Sequence, residues 1–118
     1  MNRYIVLLVM FGLLLSCDDI IEVEDISNQR VIILAPTEAS VLNQNDITFS
    51  WNVLEDATNY RLQIATPDFE NATQILVDSL MTTISFSNTL SDGDYQWRVR
   101  AQNSDYQTPY TTQSFSVE

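Results

Sequence analysis

The sequence predicts an all-β fold, a seven-stranded antiparallel β-sandwich over residues 31–118. Three observations carry that reading. Apolar and polar residues alternate with period two in five separate segments, the pattern of strands with one face buried and one in water. Turn-forming runs rich in Asn, Asp, Pro and Gly punctuate those segments. No helical period longer than one turn occurs after residue 16.

The elements follow in order. Val31-Ile32-Ile33-Leu34 forms a first, weakly marked strand. After the turn Asn43-Gln44-Asn45-Asp46, inward Ile47, Phe49 and Trp51 alternate with Thr48 and Ser50. The turn Glu55-Asp56-Ala57-Thr58-Asn59 leads to Tyr60, Leu62 and Ile64, alternating with Arg61 and Gln63. Thr66-Pro67-Asp68 turns the chain again, and residues 74–78 form a second weak strand. Ile84 and Phe86 point inward between Thr83, Ser85 and Ser87. In Ser91-Asp92-Gly93-Asp94 the glycine supplies the positive φ that the turn needs. Tyr95, Trp97, Val99 and Ala101 then alternate with Gln96, Arg98 and Arg100, and Phe115 and Val117 close the last strand. The expected core is Trp51, Tyr60, Leu62, Ile64, Phe86, Tyr95, Trp97, Val99 and Phe115. At ~1.5–3 kcal/mol per buried large apolar side chain, it needs no covalent staple.

Several blocks resemble a bacterial fibronectin type III (immunoglobulin-like) domain: Ile47-Thr48-Phe49-Ser50-Trp51, Ala57 through Ala65, Leu90 through Ala101, and Phe115-Ser116-Val117. The resemblance covers nearly all of residues 31–118 in the family's order and spacing. It implies that Trp51 is the core Trp of the second strand. It implies that Tyr95, five residues after Leu90, is a tyrosine corner whose hydroxyl bonds upstream backbone. Trp97 joins them as a structural aromatic. The loop Asn103-Ser104-Asp105-Tyr106-Gln107-Thr108-Pro109 departs from the family, lacking the Gly that many relatives have there.

The N-terminal end reads as a targeting segment. Asn2 and Arg3 precede an uncharged run from Ile5 to Leu15. A helix of that length reaches about 16 Å, half of a hydrocarbon core of roughly 30 Å. It fits a signal-peptide core. Leu14-Leu15-Ser16-Cys17 resembles a lipobox of bacterial lipoproteins, which implies diacylation (palmitate-type chains) on Cys17, cleavage after Ser16 and acylation of the new amino end. Two or more acyl chains anchor stably where one is marginal. An ordinary secretory leader with an incidental Cys, or a short membrane anchor, is the competing reading. The expected organisation is a signal peptide over 1–16, lipidated Cys17 with an acidic tether over 17–30, and the sandwich over 31–118. Residues 18–29 carry five acids and no base, the composition of a solvated tether. Asp18-Asp19 after the Cys resembles both an inner-membrane retention signal and an acidic surface-export signal. Surface exposure on the outer membrane is the expectation, with the periplasmic face of either membrane as the alternative.

Composition removes whole classes of chemistry. The chain has 118 residues, 5 basic and 16 acidic side chains, no His and one Cys, for a net charge of −11. Nucleic acid is an unfavourable partner for such a surface. Without His there is no Ser–His or Cys–His pair, and one Cys allows neither an internal disulfide nor a thiolate metal cage. No cofactor, metal ligand set or disulfide-linked oligomer is expected. The acid pairs Glu55-Asp56 and Asp92/Asp94 fall in exposed turns, poor ground for a glycosidase carboxylate of raised pKa. Asp92-Gly93-Asp94 is too short for a calcium loop. Asn71-Ala72-Thr73 and Asp78-Ser79-Leu80 match short glycosylation patterns of low specificity.

The surviving candidates are partner-binding residues. Alternation places Arg61, Arg98 and Arg100 on outward faces, where they form one basic patch if their strands are neighbours. Arg clamps carboxylates bidentately and stacks on aromatics, although pairing with local acids is the plainer role. Tyr106 and Tyr110 flank the loop before the last strand, and exposed Tyr stacks on sugar rings or fills binding loops. The expected function is a non-catalytic module, held to the membrane by lipid, that binds a protein or glycan or acts as a spacer in an outer-membrane complex. A small carboxylate hydrolase and a purely structural envelope subunit are the alternatives.

Overall fold

A computed structural model describes residues 22–118. The leader, the lipobox and Cys17 therefore lie outside the described residues. Eight strands follow one another: β1 Ile33–Ala35, β2 Ser40–Leu42, β3 Asp46–Trp51, β4 Asn59–Thr66, β5 Gln74–Met81, β6 Ser85–Thr89, β7 Gly93–Gln102 and β8 Thr111–Val117. Among the described residues no helix is long and apolar enough to cross a membrane. One sheet has the order β1-β3-β6 and the other β2-β8-β7-β4-β5.

The alternation seen in the sequence is the burial pattern of the strands. In β4 and β7, every second residue from Tyr60 to Ile64 and from Tyr95 to Ala101 is buried. Phe49 of β3 meets Trp97 of β7 edge-on at 5.0 Å and Phe115 of β8 at 5.7 Å, which ties the two sheets together. Trp51 packs on Tyr60 at 5.7 Å and Trp97 at 6.2 Å. Edge-to-face contact suits the ring quadrupoles and adds ~0.5–1.5 kcal/mol beyond area burial. Trp97 Nε1 donates to the Pro36 carbonyl at 3.1 Å, and the Tyr60 hydroxyl accepts the Leu54 N–H at 3.0 Å. Trp51 Nε1 is buried with no hydrogen-bond partner among the described residues.

The expected corner is present. The Tyr95 hydroxyl donates to the Ser91 carbonyl at 2.6 Å, and its ring stacks on Phe115 at 5.5 Å. Gly93 has φ +158°, positive as expected but at the extended border of that range. The preceding turns are held by Asn45, whose carbonyl accepts the Leu90 N–H and whose Nδ2 donates to the Leu90 carbonyl.

Three expectations need correction. There are eight strands, not seven, because residues 40–42 form β2. The sandwich is not wholly antiparallel, since β2 pairs parallel to β8, with Ser40 opposite Phe115 and Leu42 opposite Val117. The chain changes sheets between β1 and β2 through Ala39, which holds φ 61°, while the Glu38 carboxylate accepts the Ser114 N–H at 2.7 Å. Ile84, read as inward, precedes β6 at the sheet edge and is 42% exposed. Phe86 is half-buried against the core. Order also begins upstream of residue 31, inside the acidic segment. Ile26 is fully buried in the core, and the Glu24 carbonyl accepts from Asn103 Nδ2 at 2.9 Å. The acids around Ile26 stay exposed, so the segment is both solvated and seated.

Candidate functional site

Strand order decides where the arginines go. β4 and β7 are antiparallel neighbours, with Arg61 opposite Arg100 and Gln63 opposite Arg98. β8 lies on the other side of β7, with Arg98 opposite Thr112. Directly opposed residues share a face, so the three guanidinium groups stand together on the outer face of the five-stranded sheet. Tyr110, immediately before β8, brings its ring over them. Its centroid lies 4.4 Å from Arg98 Cζ and 4.7 Å from Arg100 Cζ. On the far side Arg98 Cζ sits 4.1 Å from the Phe69 centroid. Each such contact contributes ~0.5–1 kcal/mol at an exposed site.

Arg30 reaches the same place from the N-terminal segment, its Nη1 donating to the Tyr110 carbonyl at 3.4 Å. Arg61, Arg98 and Arg100 thus form one basic patch on an acidic molecule, and Arg30, the remaining basic residue among the described ones, adjoins it through the Tyr110 backbone.

Hydrogen bonds fix the individual groups. Arg61 Nε donates to Asp78 Oδ1 of β5 at 2.9 Å, the one ion pair among the described residues. That bond, with a second from Gln63, holds the Asp78 carboxyl below its ordinary range. The same bond raises the Arg61 guanidinium. Arg98 Nε donates to Gln63 Oε1 at 2.7 Å. Arg100 Nε is buried without a partner among the described residues. Phe69 is seated by its own N–H, which donates to Gln96 Oε1 at 3.0 Å.

The candidates separate cleanly. Arg61, Arg98, Arg100 and Tyr110 come together. Tyr106 does not take part in these contacts. It sits 37% exposed in the β7–β8 loop, its N–H bound to Asn103 Oδ1 at 2.9 Å. Asn103 Oδ1 also accepts from the Asp105 N–H, so this side chain organises the loop. Thr108 closes the loop with a buried hydroxyl that accepts the Ala101 N–H and donates to the Pro109 carbonyl. Arg30 and Phe69 were not among the sequence candidates. Arg30 lay in the acidic tether, and Phe69 beside a turn, where alternation carries no signal.

Elsewhere the acid pairs are turn residues. Asp56 adopts φ 69°, and Asp92 Oδ1 accepts from Asn45 Nδ2 at 3.2 Å. Among the described residues no group of three His, Cys, Asp or Glu could hold a metal ion. Asp78 of the Asp78-Ser79-Leu80 pattern is engaged with Arg61, and the Asn71 N–H donates to Asp68 Oδ1.

No protein-family model matches the chain, and no curated protein matches it. Solved structures do. A Fn3-like protein from Clostridium thermocellum aligns with TM-score 0.54 at 13% identity, over 78% of this chain and 95% of that one. The FN3tt structure aligns with TM-score 0.53 at 13% identity, over 76% and 97%. CopC from Methylosinus trichosporium OB3b aligns with TM-score 0.50 at 11% identity, over 75% and 93%. At such identities the likeness concerns architecture alone, because one fold hosts many sites. The chain folds as a single fibronectin type III-like β-sandwich.

Proposed function

We propose that this chain is a non-catalytic, lipid-anchored module that holds a partner at the outer membrane surface through the outer face of β4, β7 and β8. One observation carries the binding face: Arg61, Arg98 and Arg100 stand together on it, two of them against the Tyr110 ring, and only Arg61 pairs with a carboxylate there. Fibronectin type III-like folds commonly serve as binding or spacer modules, which accords with the absence of His from the sequence. The anchor rests on Leu14-Leu15-Ser16-Cys17 and the uncharged run before it. Acidic Asp18-Asp19 supports display at the surface.

The test is a pull-down from solubilised envelopes with the wild type and the Arg98→Ala/Arg100→Ala variant. A partner retained by the wild type and lost by a variant of unchanged melting temperature supports the reading; identical captures overturn it. Cys17→Ala tests the anchor separately. The variant should incorporate no labelled fatty acid and lose surface labelling, and normal labelling would refute lipidation.

A further inference from the structure

The chemistry of the patch narrows what it can hold. Clustered like charges are unfavourable on a sheet face. This protein has 16 acids with which to neutralise them, yet among the described residues Arg98 and Arg100 form no ion pair, Asp78 being held by Arg61 and acting on Arg98 only from beyond contact distance. Their faces and Nε edges are used for positioning instead. Arg98 lies between Phe69 and Tyr110 with Nε on Gln63, and Arg100 lies against Tyr110 with Nε buried. The Nη edges are left to meet something else. A guanidinium immobilised in this way has already lost most of the freedom that binding would cost. Its planar fork matches a carboxylate in two parallel hydrogen bonds.

Two further observations select the setting of that carboxylate. Guanidinium groups already lie over the Tyr110 ring and over one face of Phe69, which leaves less aromatic surface on which a neutral sugar could stack. Acid also adjoins the patch: Asp78 of β5 stands opposite Gln63 on the same face and is held by Arg61, and the net charge of the chain is −11. A long polyanion would meet that negative field along most of its length. A lone carboxylate set among basic or neutral groups reaches Arg98 and Arg100 without carrying further negative charge into that field.

We propose that the outer face is a receptor for a protein segment that presents an isolated carboxylate, a side chain or a C-terminus, within an otherwise cationic surface. This rests on the partner-holding reading above and specifies its ligand class.

The experiment uses the full chain, nitrogen-15 labelled, in zwitterionic detergent micelles. The probes are the peptide acetyl-Lys-Gly-Glu-Gly-Lys-amide and its counterpart with Gln for Glu. The expected result is saturable movement of the Arg98 and Arg100 Nε–H resonances, at least about tenfold weaker for the Gln peptide. An Arg98→Lys/Arg100→Lys variant, which keeps the charge but loses the fork, should weaken binding to a similar extent. Equal shifts with both peptides overturn the proposal. So does tighter binding of polygalacturonate with a steep fall between about 50 and 200 mM salt, the mark of a polyanion. So does arginine-dependent sedimentation with vesicles of phosphatidylglycerol and phosphatidylcholine. If the Arg98→Ala/Arg100→Ala variant loses a partner from envelopes while the Glu peptide moves no arginine resonance, the ligand class fails and the partner-holding function stands. If that variant captures the same proteins as the wild type, the function itself fails.

Discussion

Replacing Tyr95 with Phe isolates one hydrogen bond in the fold. The ring is 4% exposed and stacked on Phe115 with an interplanar angle of 19°, and Phe keeps that contact. What disappears is the hydroxyl, which donates to the Ser91 carbonyl at 2.6 Å and lies 3.3 Å from Ser91 Oγ. Ser91 is exposed, so water can reach its carbonyl once the hydroxyl is gone. The loss should therefore fall near the net value of a hydrogen bond, ~1–1.5 kcal/mol, below the penalty for a stranded buried group. For a domain of roughly 100 residues, that corresponds to a fall in melting temperature of about 4–12 °C. The assay is thermal and urea unfolding followed by Trp fluorescence, with Trp51 and Trp97 both in the core. Ser91→Ala is the control. The acceptor that matters is backbone, so this variant should change stability by less than about 0.5 kcal/mol. An unchanged midpoint for Tyr95→Phe, or an equal loss in Ser91→Ala, would refute the assignment of the bond to the corner.

Other outcomes follow from the same structure. Ile26→Ala should destabilise by ~2–4 kcal/mol, as for a core aliphatic residue; a loss under about 0.5 kcal/mol in urea unfolding would return Ile26 to a mere tether. Ala39→Gly should stabilise by ~0.5–1 kcal/mol, because Ala39 holds φ 61° where glycine is unstrained; a lower unfolding midpoint would contradict that. The Asp78 carboxyl is held below its ordinary value of 3.8 by the Arg61 hydrogen bond. Its stabilisation is therefore complete above the ordinary carboxylate range and is lost as pH falls through the lowered value. The midpoint difference between wild type and Asp78→Asn should close on acidification into that range, and a difference that widened there would have the wrong sign.

The strands most legible in the sequence are those with one buried and one wet face. β3, β4, β7 and β8 alternate because Phe49, Leu62, Trp97 and Phe115 point into a common core while their neighbours meet water. β2 left no such trace. It spans three residues, its central Val41 is 62% exposed, and backbone pairing with β8 holds it in place. β5 was underestimated because Leu80 lies exposed on an edge strand and disguises the pattern. Ile26 was hidden by the acids around it, since charge density describes the exposed side of a segment and says nothing about one side chain turned inward. The site divided in the same way. Arg61, Arg98 and Arg100 were visible because alternation gives the face and the fold gives the neighbour. Arg30 and Phe69 arrive from segments distant in sequence, and only the tertiary packing brings Arg30 to the Tyr110 backbone and Phe69 to Arg98.

The parallel pairing of β2 with β8 also has a mechanical meaning. A pull applied between the segment before β1 and the end of β8 draws these two strands in opposite directions along their length. The Ala39 N–H bond to Ser114, the ladder from Ser40 to Leu42, and the Glu118 N–H bond to Leu42 then share the load in shear. An antiparallel hairpin pulled open at one end would break its bonds one after another. A module tethered at its N-terminal side and loaded at its C-terminal side would resist tension through the short strand that alternation overlooked.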